Sequence, residues 1–260
     1  MSLFPSALWP ARTCWSWPVR VVAIPVRGSL RASAGGTPRT RRWRDAWITG
    51  LMQQPGSVAV ADDALVAAFP NQLASDVRVV LAVMPEAQIA PVSPFSVYVG
   101  DEVVAIPYRI YQDELPVEVA RALTEAQQGI LHCLYSPHSD GLVRQRHLEQ
   151  IASSDEPWAV PFVVQLAGKY VLEILESIQR VLSDLLSKRS AQRLAYGDFI
   201  ARNPGFFART ERRVVSYRSY YYRWKFLVFG TYPGCHLLEL LRAAAADRTG
   251  RPWPRHTPSA

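Results

Sequence analysis

Apolar side chains that recur at steps of three and four residues predict that the chain is mostly helical. The most regular stretch is residues 157–188, where apolar positions from Val163 to Leu185 follow this spacing and polar residues occupy the opposite side. Residues 205–228 repeat the pattern. We therefore expect two long amphipathic helices, near 161–187 and 205–228, that pack along their length.

A single β-hairpin is predicted at about residues 95–111. The segments FSVYV and EVVAI flank Gly100-Asp101, a pair that favours a tight two-residue turn with Gly in first place. This register pairs Val97 with Val104 and places both on one face. An isolated hairpin is marginally stable in water, so we expect it to pack on the helices.

The predicted fold class is mainly α, a bundle-like single domain with one hairpin and a disordered tail at each end. Shorter helices are expected near residues 61–69, 72–84, 116–122, 124–135, 141–151, 190–202 and 233–246. The domain then spans residues 58–246. The Pro- and Arg-rich tail 247–260 is expected to be disordered.

The net charge of +7 belongs to the first part of the chain. Residues 1–55 carry eight Arg and one acidic residue, whereas the remaining residues carry 21 basic and 21 acidic side chains. Residues 1–57 lack helical or strand periodicity, so we expect an unstructured segment. Three interpretations stay open: a leader that resembles a transit peptide in composition, a flexible basic arm, or a start codon placed too early, with Met52 nearer the true start.

Cysteine usage and hydropathy indicate a protein of a reducing compartment, and we expect a cytoplasmic location. Cys14, Cys133 and Cys235 are odd in number and far apart, so no disulfide framework follows from their spacing. No apolar run is long enough and free enough of charge to span a bilayer. We therefore expect no contact with a membrane.

One cluster contains residue types that bind metal ions. Its members lie within sixteen residues of one another, in a predicted helix–loop–helix: His132, Cys133, His138 and His147. Their spacing matches no HExxH or CxxC motif, and Cys133 is expected in the core. His147 is expected on a solvated face with its Arg neighbours. The sequence therefore assigns neither a metal ion nor a cofactor.

A cysteine nucleophile is the second catalytic possibility. Cys133 or Cys235 would need a nearby histidine as base. Cys235 lies near a predicted helix start, where the helix dipole would lower the pKa of its thiol. No nucleophile elbow or glycine-rich phosphate loop accompanies either residue.

The 205–226 segment predicts a binding surface for phosphate groups. Its basic side chains far outnumber its one acidic residue, Glu211, and aromatic residues lie among them. Glu173 and Glu176 of the first long helix are expected to neutralise part of this charge. The candidate binding residues are Arg209, Arg212, Arg213, Tyr220 and Arg223.

These patterns favour a non-enzymatic helical interaction module that binds a protein partner or a second copy of itself. The acidic stretch 101–125 and the basic stretch 205–226 would face each other within or between copies. The alternatives are binding of nucleic acid or a phosphate ligand through 205–226, and a small metal- or Cys-dependent enzyme.

Overall fold

The computed structural model describes residues 57–87, 89–92, 94–182 and 190–258, with side chains from residue 62 onward. The predictions for residues 1–56, and for the end of the helix near 161–187, lie outside these ranges. Within them the chain is mainly helical and contains one antiparallel hairpin. The predicted fold class is confirmed in these respects.

The helices follow the chain in an order close to that predicted from the apolar spacing. They are α1 Ser57–Val66, α2 Ala74–Val83, α3 Val117–Arg121, α4 Glu125–Tyr135, α5 Gly141–Ile151, α6 Val160–Ala167, α7 Leu172–Leu182, α8 Ala191–Arg202, α9 Pro204–Tyr217 and α10 Pro233–Thr249. Thr124 and Gln127 form the predicted capping box at the start of α4.

The hairpin has the predicted register. Strands β1 (Phe95–Val99) and β2 (Glu102–Ile106) pair Val97 with Val104, and both side chains are buried. Gly100 has φ +57, which a two-residue turn requires and which glycine adopts without steric cost. Asn203 fixes the outer edge of β1, because its side-chain amide accepts from the N–H and donates to the carbonyl of Tyr98.

The first predicted long helix is two helices, α6 and α7. All eight residues of α6 are buried, so this segment lies inside the core and has no solvated face. It ends at Gly168, where a β-carbon would lie 3.4 Å from Thr210 Cγ2 and 3.6 Å from Arg213 Cδ. The chain therefore turns against α9 and starts a new helix at Leu172. Of these two helices, α6 packs against α9, whereas α7 packs chiefly on α10 and α5.

The second predicted long helix also ends early. The α-helical part of α9 ends at Tyr217. A single π-helical turn, Arg218–Tyr222, follows it. The Arg218 guanidinium donates to the carbonyls of Phe226 and Leu227, which folds residues 223–228 back onto the turn. The regular helix near 205–228 was therefore a wrong prediction beyond residue 217.

The C-terminal residues 250–258 contact the domain, which corrects the prediction of a disordered tail for 247–260. Helix α10 continues to Thr249 and is capped by Gly250 at φ +68. Trp253 packs on the core, and the Thr257 hydroxyl accepts a hydrogen bond of 2.7 Å from Arg242. These contacts hold the tail against α10.

Candidate functional site

Lys169 lies at the bend between α6 and α7, and its side chain is buried. The residue is 7% exposed. Its Nζ atom lies 3.6 Å from the centre of the Tyr108 ring. A buried ammonium group normally requires a carboxylate partner, so the surroundings of this lysine decide what the site can do.

Among the residues that the structure describes, the charged groups that act on Lys169 are cationic. Arg213 of α9 places Cζ 5.6 Å from the same Tyr108 ring, and Arg144 of α5 is as buried as Lys169. Arg109, which follows β2, lies close enough to act on both Lys169 and Arg144 electrostatically. We call these four residues, Lys169, Arg109, Arg144 and Arg213, the cationic cluster.

No carboxylate of a described residue forms an ion pair with any member of the cationic cluster. The one acidic residue of α9, Glu211, is fully buried and instead pairs with Arg242 of α10. Glu173 and Glu176 are exposed, and neither pairs with α9. The neutralisation expected from α7 therefore does not take the form of ion pairs among the described residues, although both carboxylates lie close enough to Tyr222 to act on it electrostatically.

The electrostatics of the cluster act mainly on Lys169. Burial, followed by the charges of Arg213, Arg144 and Arg109, lowers the pKa of Lys169 to about 7. Burial and the nearby Arg109 likewise lower the pKa of Arg144. Lys169 is thus the group in this cluster that can lose its proton near neutral pH.

Unpaired polar atoms lie beside the cluster. Arg144 donates through Nη1 to the carbonyls of His138 and Ser139, but its buried Nε has no partner. Gln165 of α6 donates to the carbonyls of Pro107 and Tyr108, and its buried Oε1 also has no partner. Such atoms cost free energy unless water or a ligand satisfies them.

The five residues predicted to bind phosphate divide between the cluster and the surface. Arg213 belongs to the cluster, and with Arg209 it lines a small cavity of about 160 Å³. Arg212 is exposed on α9. Tyr220 is 80% exposed, and Arg223 is exposed with its guanidinium 4.7 Å from the Trp224 ring.

Two of the four predicted metal ligands do meet. His132 Nδ1 lies 2.8 Å from His147 Nδ1, and His147 Nε2 lies 3.0 Å from a Glu114 oxygen. If His147 donates to the carboxylate, its Nδ1 accepts from His132, and the two rings form a hydrogen-bonded chain. The side chain of His147 on α5 is buried against His132 of α4, so its predicted place on a solvated face is wrong.

The other two candidates lie apart from this pair. His138 uses both ring nitrogens, one towards the Gln112 carbonyl and the other towards the Asp140 N–H. Cys133 is fully buried in the core, as predicted. In the part of the chain that the structure describes, no three His, Cys, Asp or Glu residues are placed to share a metal ion.

Burial also determines the character of the two described cysteines. It raises the pKa of the Cys133 thiol well above its usual value. It raises the pKa of the Cys235 thiol too, and Glu239 adds to this effect. The predicted lowering at the start of α10 is therefore wrong, because burial and Glu239 raise the pKa of this thiol by more than Arg242 and Arg255 lower it.

A larger groove of about 990 Å³ lies where α4 approaches residues 150–159. His132 contributes to its wall, and the other lining side chains include Glu125, Gln128, Asp155 and Glu156. The charged groups of this groove are acidic. It therefore differs in character from the cationic cluster and does not suit the same ligand.

Sequence reasoning missed Lys169, Arg109 and Arg144. The spacing assigned Lys169 to the polar side of one long helix, where it would be solvated. One feature of the sequence does distinguish it, because the chain contains only three lysines, Lys169, Lys188 and Lys225, against 26 arginines.

Comparison with known proteins adds no family to this description. No protein-family model, curated protein or solved structure matches the chain. No helix among the described residues has both the length and the apolar character to cross a bilayer. Function must therefore be inferred from the cationic cluster itself.

Proposed function

We propose that the protein binds a small ligand through a phosphate or carboxylate group held by the cationic cluster. The observation that carries this proposal is the concentration of four cationic side chains, two of them buried, without a paired carboxylate among the described residues. Like charges at close range repel, and buried ones are poorly solvated. A bound anion would relieve both costs.

The burial of the cluster favours a small ligand over a nucleic-acid backbone. A polymer contacts side chains that extend from an exposed surface. Lys169 and Arg144 are only 7% exposed, so they suit a single anionic group that enters the fold. The guanidinium of Arg213 can offer two parallel donors to such a group, and guanidinium–phosphate pairs of this kind are strong.

The experiment titrates the full chain with inorganic phosphate and measures binding as the increase in the unfolding temperature. Arg213→Gln should weaken binding by about tenfold or more, because a hydrogen bond between charged groups contributes about 1.5–3 kcal/mol. Arg223→Gln is the matched control, since Arg223 lies exposed on Trp224, and it should bind like the wild type. Equal losses in the two variants would contradict the proposal and favour the exposed arginine surface.

A second candidate function is self-association through residues 220–228. The supporting observation is a row of exposed side chains beside Arg223 and Lys225: Tyr220, Tyr221, Trp224, Leu227 and Val228. Exposed aromatic residues of this kind are enriched at interfaces. Asp101, Glu118 and Glu125 offer exposed negative charge on a second copy.

Sedimentation equilibrium at several protein concentrations tests self-association. The account predicts a dimer that Trp224→Ser weakens and that high salt weakens further. Arg248→Gln serves as the control, because Arg248 lies on α10 and its guanidinium already pairs with Asp198. A monomer at all concentrations would contradict this second function.

A further inference from the structure

We propose that Lys169 forms an imine with the carbonyl carbon of a small aldehyde or ketone that carries a phosphate or carboxylate group. This inference rests on the proposed function, because the arginines of the cationic cluster must first hold the anionic end of the substrate. It adds the chemical class of that substrate and a covalent role for the amine.

The difference between lysine and arginine supports this role. Both side chains bind anions, but only the lysine amine can lose its proton and act as a nucleophile near neutral pH. The chain uses Arg 26 times and Lys three times. At one of the two buried positions of the cluster it nevertheless has a lysine, whose amine rests against an aromatic ring.

The groups that face Lys169 keep its amine reactive. They are Tyr108 and Arg109 after β2, Arg144 of α5 and Arg213 of α9. Tyr170 acts on Arg144, and Tyr217 lies near Tyr108 and Arg213. The guanidinium groups disfavour the ammonium form, and burial acts in the same direction. Together they lower the pKa of Lys169 to about 7.

The covalent step conserves atoms and electrons. The lone pair of the neutral Nζ attacks the carbonyl carbon, the electrons of the C=O π bond move to oxygen, and transfer of one proton from Nζ to this oxygen gives a neutral carbinolamine. The hydroxyl then leaves as water after a second protonation, and a C=N bond to Nζ forms. The fixed arginines hold the anionic end of the substrate during these steps, which places its carbonyl near the amine.

The step needs no oxidant or reductant. Water is its only by-product, and the reverse reaction restores the free lysine. The protonated imine withdraws electrons from the neighbouring carbon, so the site could support proton removal or bond cleavage next to the former carbonyl. The first requirement is that the imine forms at Lys169 in preference to other amines.

The experiment traps the imine in the full wild-type chain. The protein is incubated at pH 7 with one of three probes: glyceraldehyde 3-phosphate, pyruvate or uncharged glyceraldehyde. Sodium borohydride then reduces any imine to a stable secondary amine. Peptide mass spectrometry identifies the lysine that carries this adduct. We expect Lys169 to be labelled by at least one anionic carbonyl about tenfold faster than Lys225, because a pKa of about 7 leaves much of the Lys169 amine unprotonated at this pH. The phosphate and carboxylate probes show which anionic group the site prefers.

Lys225 is an internal control, since it is exposed in the same molecule, so the comparison needs no variant. Uncharged glyceraldehyde should label Lys169 about tenfold more slowly than the preferred anionic probe, because the arginines do not hold it. Inorganic phosphate should protect Lys169. Equal labelling of Lys169 and Lys225, or equal labelling by charged and uncharged probes, would overturn the inference.

Lys169→Arg separates this inference from the proposed function. It keeps the positive charge and removes the nucleophile, so it should bind inorganic phosphate and give no adduct at residue 169. If the wild type binds phosphate but is not trapped, the imine is wrong and the anion site stands. If phosphate neither binds nor protects, the proposed function itself is wrong.

Discussion

The Nζ atom of Lys169 lies 3.6 Å from the centre of the Tyr108 ring, and this contact occupies the place where an ion pair would be expected. A cation–π contact contributes about 0.5–2 kcal/mol. That is less than the cost of burying an ammonium group without a charged partner. The folded protein therefore carries a destabilising charge in this cluster, which an anion would relieve.

The first prediction concerns Lys169→Met. The pKa of Lys169 is about 7 in the folded chain and near 10.4 in an unfolded one, so the unfolded state binds more protons between these values. The wild type should thus gain stability as the pH rises from 7 towards 10. The destabilisation by the buried Lys169 ammonium group is greatest below pH 7. Without added anion, the variant should be more stable than the wild type at pH 6.5 by about 1–3 kcal/mol.

Urea unfolding at pH 6.5 and pH 9 measures this effect. Lys225→Met is the matched control because that lysine is exposed, and it should leave the pH profile unchanged. If Lys169→Met is less stable than the wild type at pH 6.5 without anion, then the lysine contributes to the core and the cluster is not under electrostatic stress.

The hydrogen-bonded histidines predict acid lability. Burial, with the neighbouring His132, lowers the pKa of His147 to about 4, and burial also lowers the pKa of His132. Because unfolded histidine titrates near 6.5, stability should be full above that pH and fall as the pH drops from 6.5 to 4. Over this interval His147→Gln should lose about 2 kcal/mol less stability than the wild type.

Glu114 acts in the same direction at slightly lower pH. Burial would raise the pKa of Glu114, but hydrogen bonds from Arg146 and His147 outweigh it, so its pKa is lowered. The stability that the charged Glu114 contributes is present above pH 4.5 and is lost as the pH falls below that value. Unfolding at pH 7, 5.5 and 4.5 provides the measurement, with His236→Gln as an exposed control. A profile for His147→Gln parallel to that of the wild type would refute the buried, neutral histidine.

The third prediction concerns the buried ion pair between Glu211 of α9 and Arg242 of α10. Glu211 is fully buried, and Arg242 Nε donates to it at 2.6 Å. Arg242→Met leaves this carboxylate without its partner and should cost about 3–5 kcal/mol. Combined with Glu211→Leu, it should recover much of that loss, because the charge is then absent.

Chemical denaturation of the single and double variants tests this coupling. Arg248→Met provides the comparison, since the Arg248–Asp198 pair is solvent-exposed and should contribute about 1 kcal/mol or less. Additive losses in the Arg242 and Glu211 variants would show that the two side chains do not depend on each other.

Local patterns predicted the elements of this fold, whereas the breaks between them depend on tertiary contacts. The hairpin register followed from the two-residue turn at Gly100-Asp101, and the capping box followed from Thr124 and Gln127. The break at Gly168 could not be predicted from the local sequence, because the apolar spacing continues across it. There the chain bends against Thr210 and Arg213, which lie more than forty residues away in sequence.

The candidate site was only partly predictable for the same reason. Arg213 was identified because basic residues recur along α9. Arg109 and Arg144 come from separate elements, and only the packing of α5, α6 and α9 brings them to Lys169. Likewise, the partner of Glu211 is Arg242 on another helix, a pairing that the local sequence around Glu211 did not indicate.

Isothermal titration calorimetry with sulfate tests the central claim most directly. Sulfate does not titrate near neutral pH, so any proton exchanged on binding comes from the protein. If the cationic cluster binds the anion, the pKa of Lys169 rises from about 7, and titrations at pH 7.5 in buffers of different ionisation enthalpy should show proton uptake. Lys169→Arg should bind sulfate without that uptake. Absence of binding, or binding with no proton uptake by the wild type, would contradict the account.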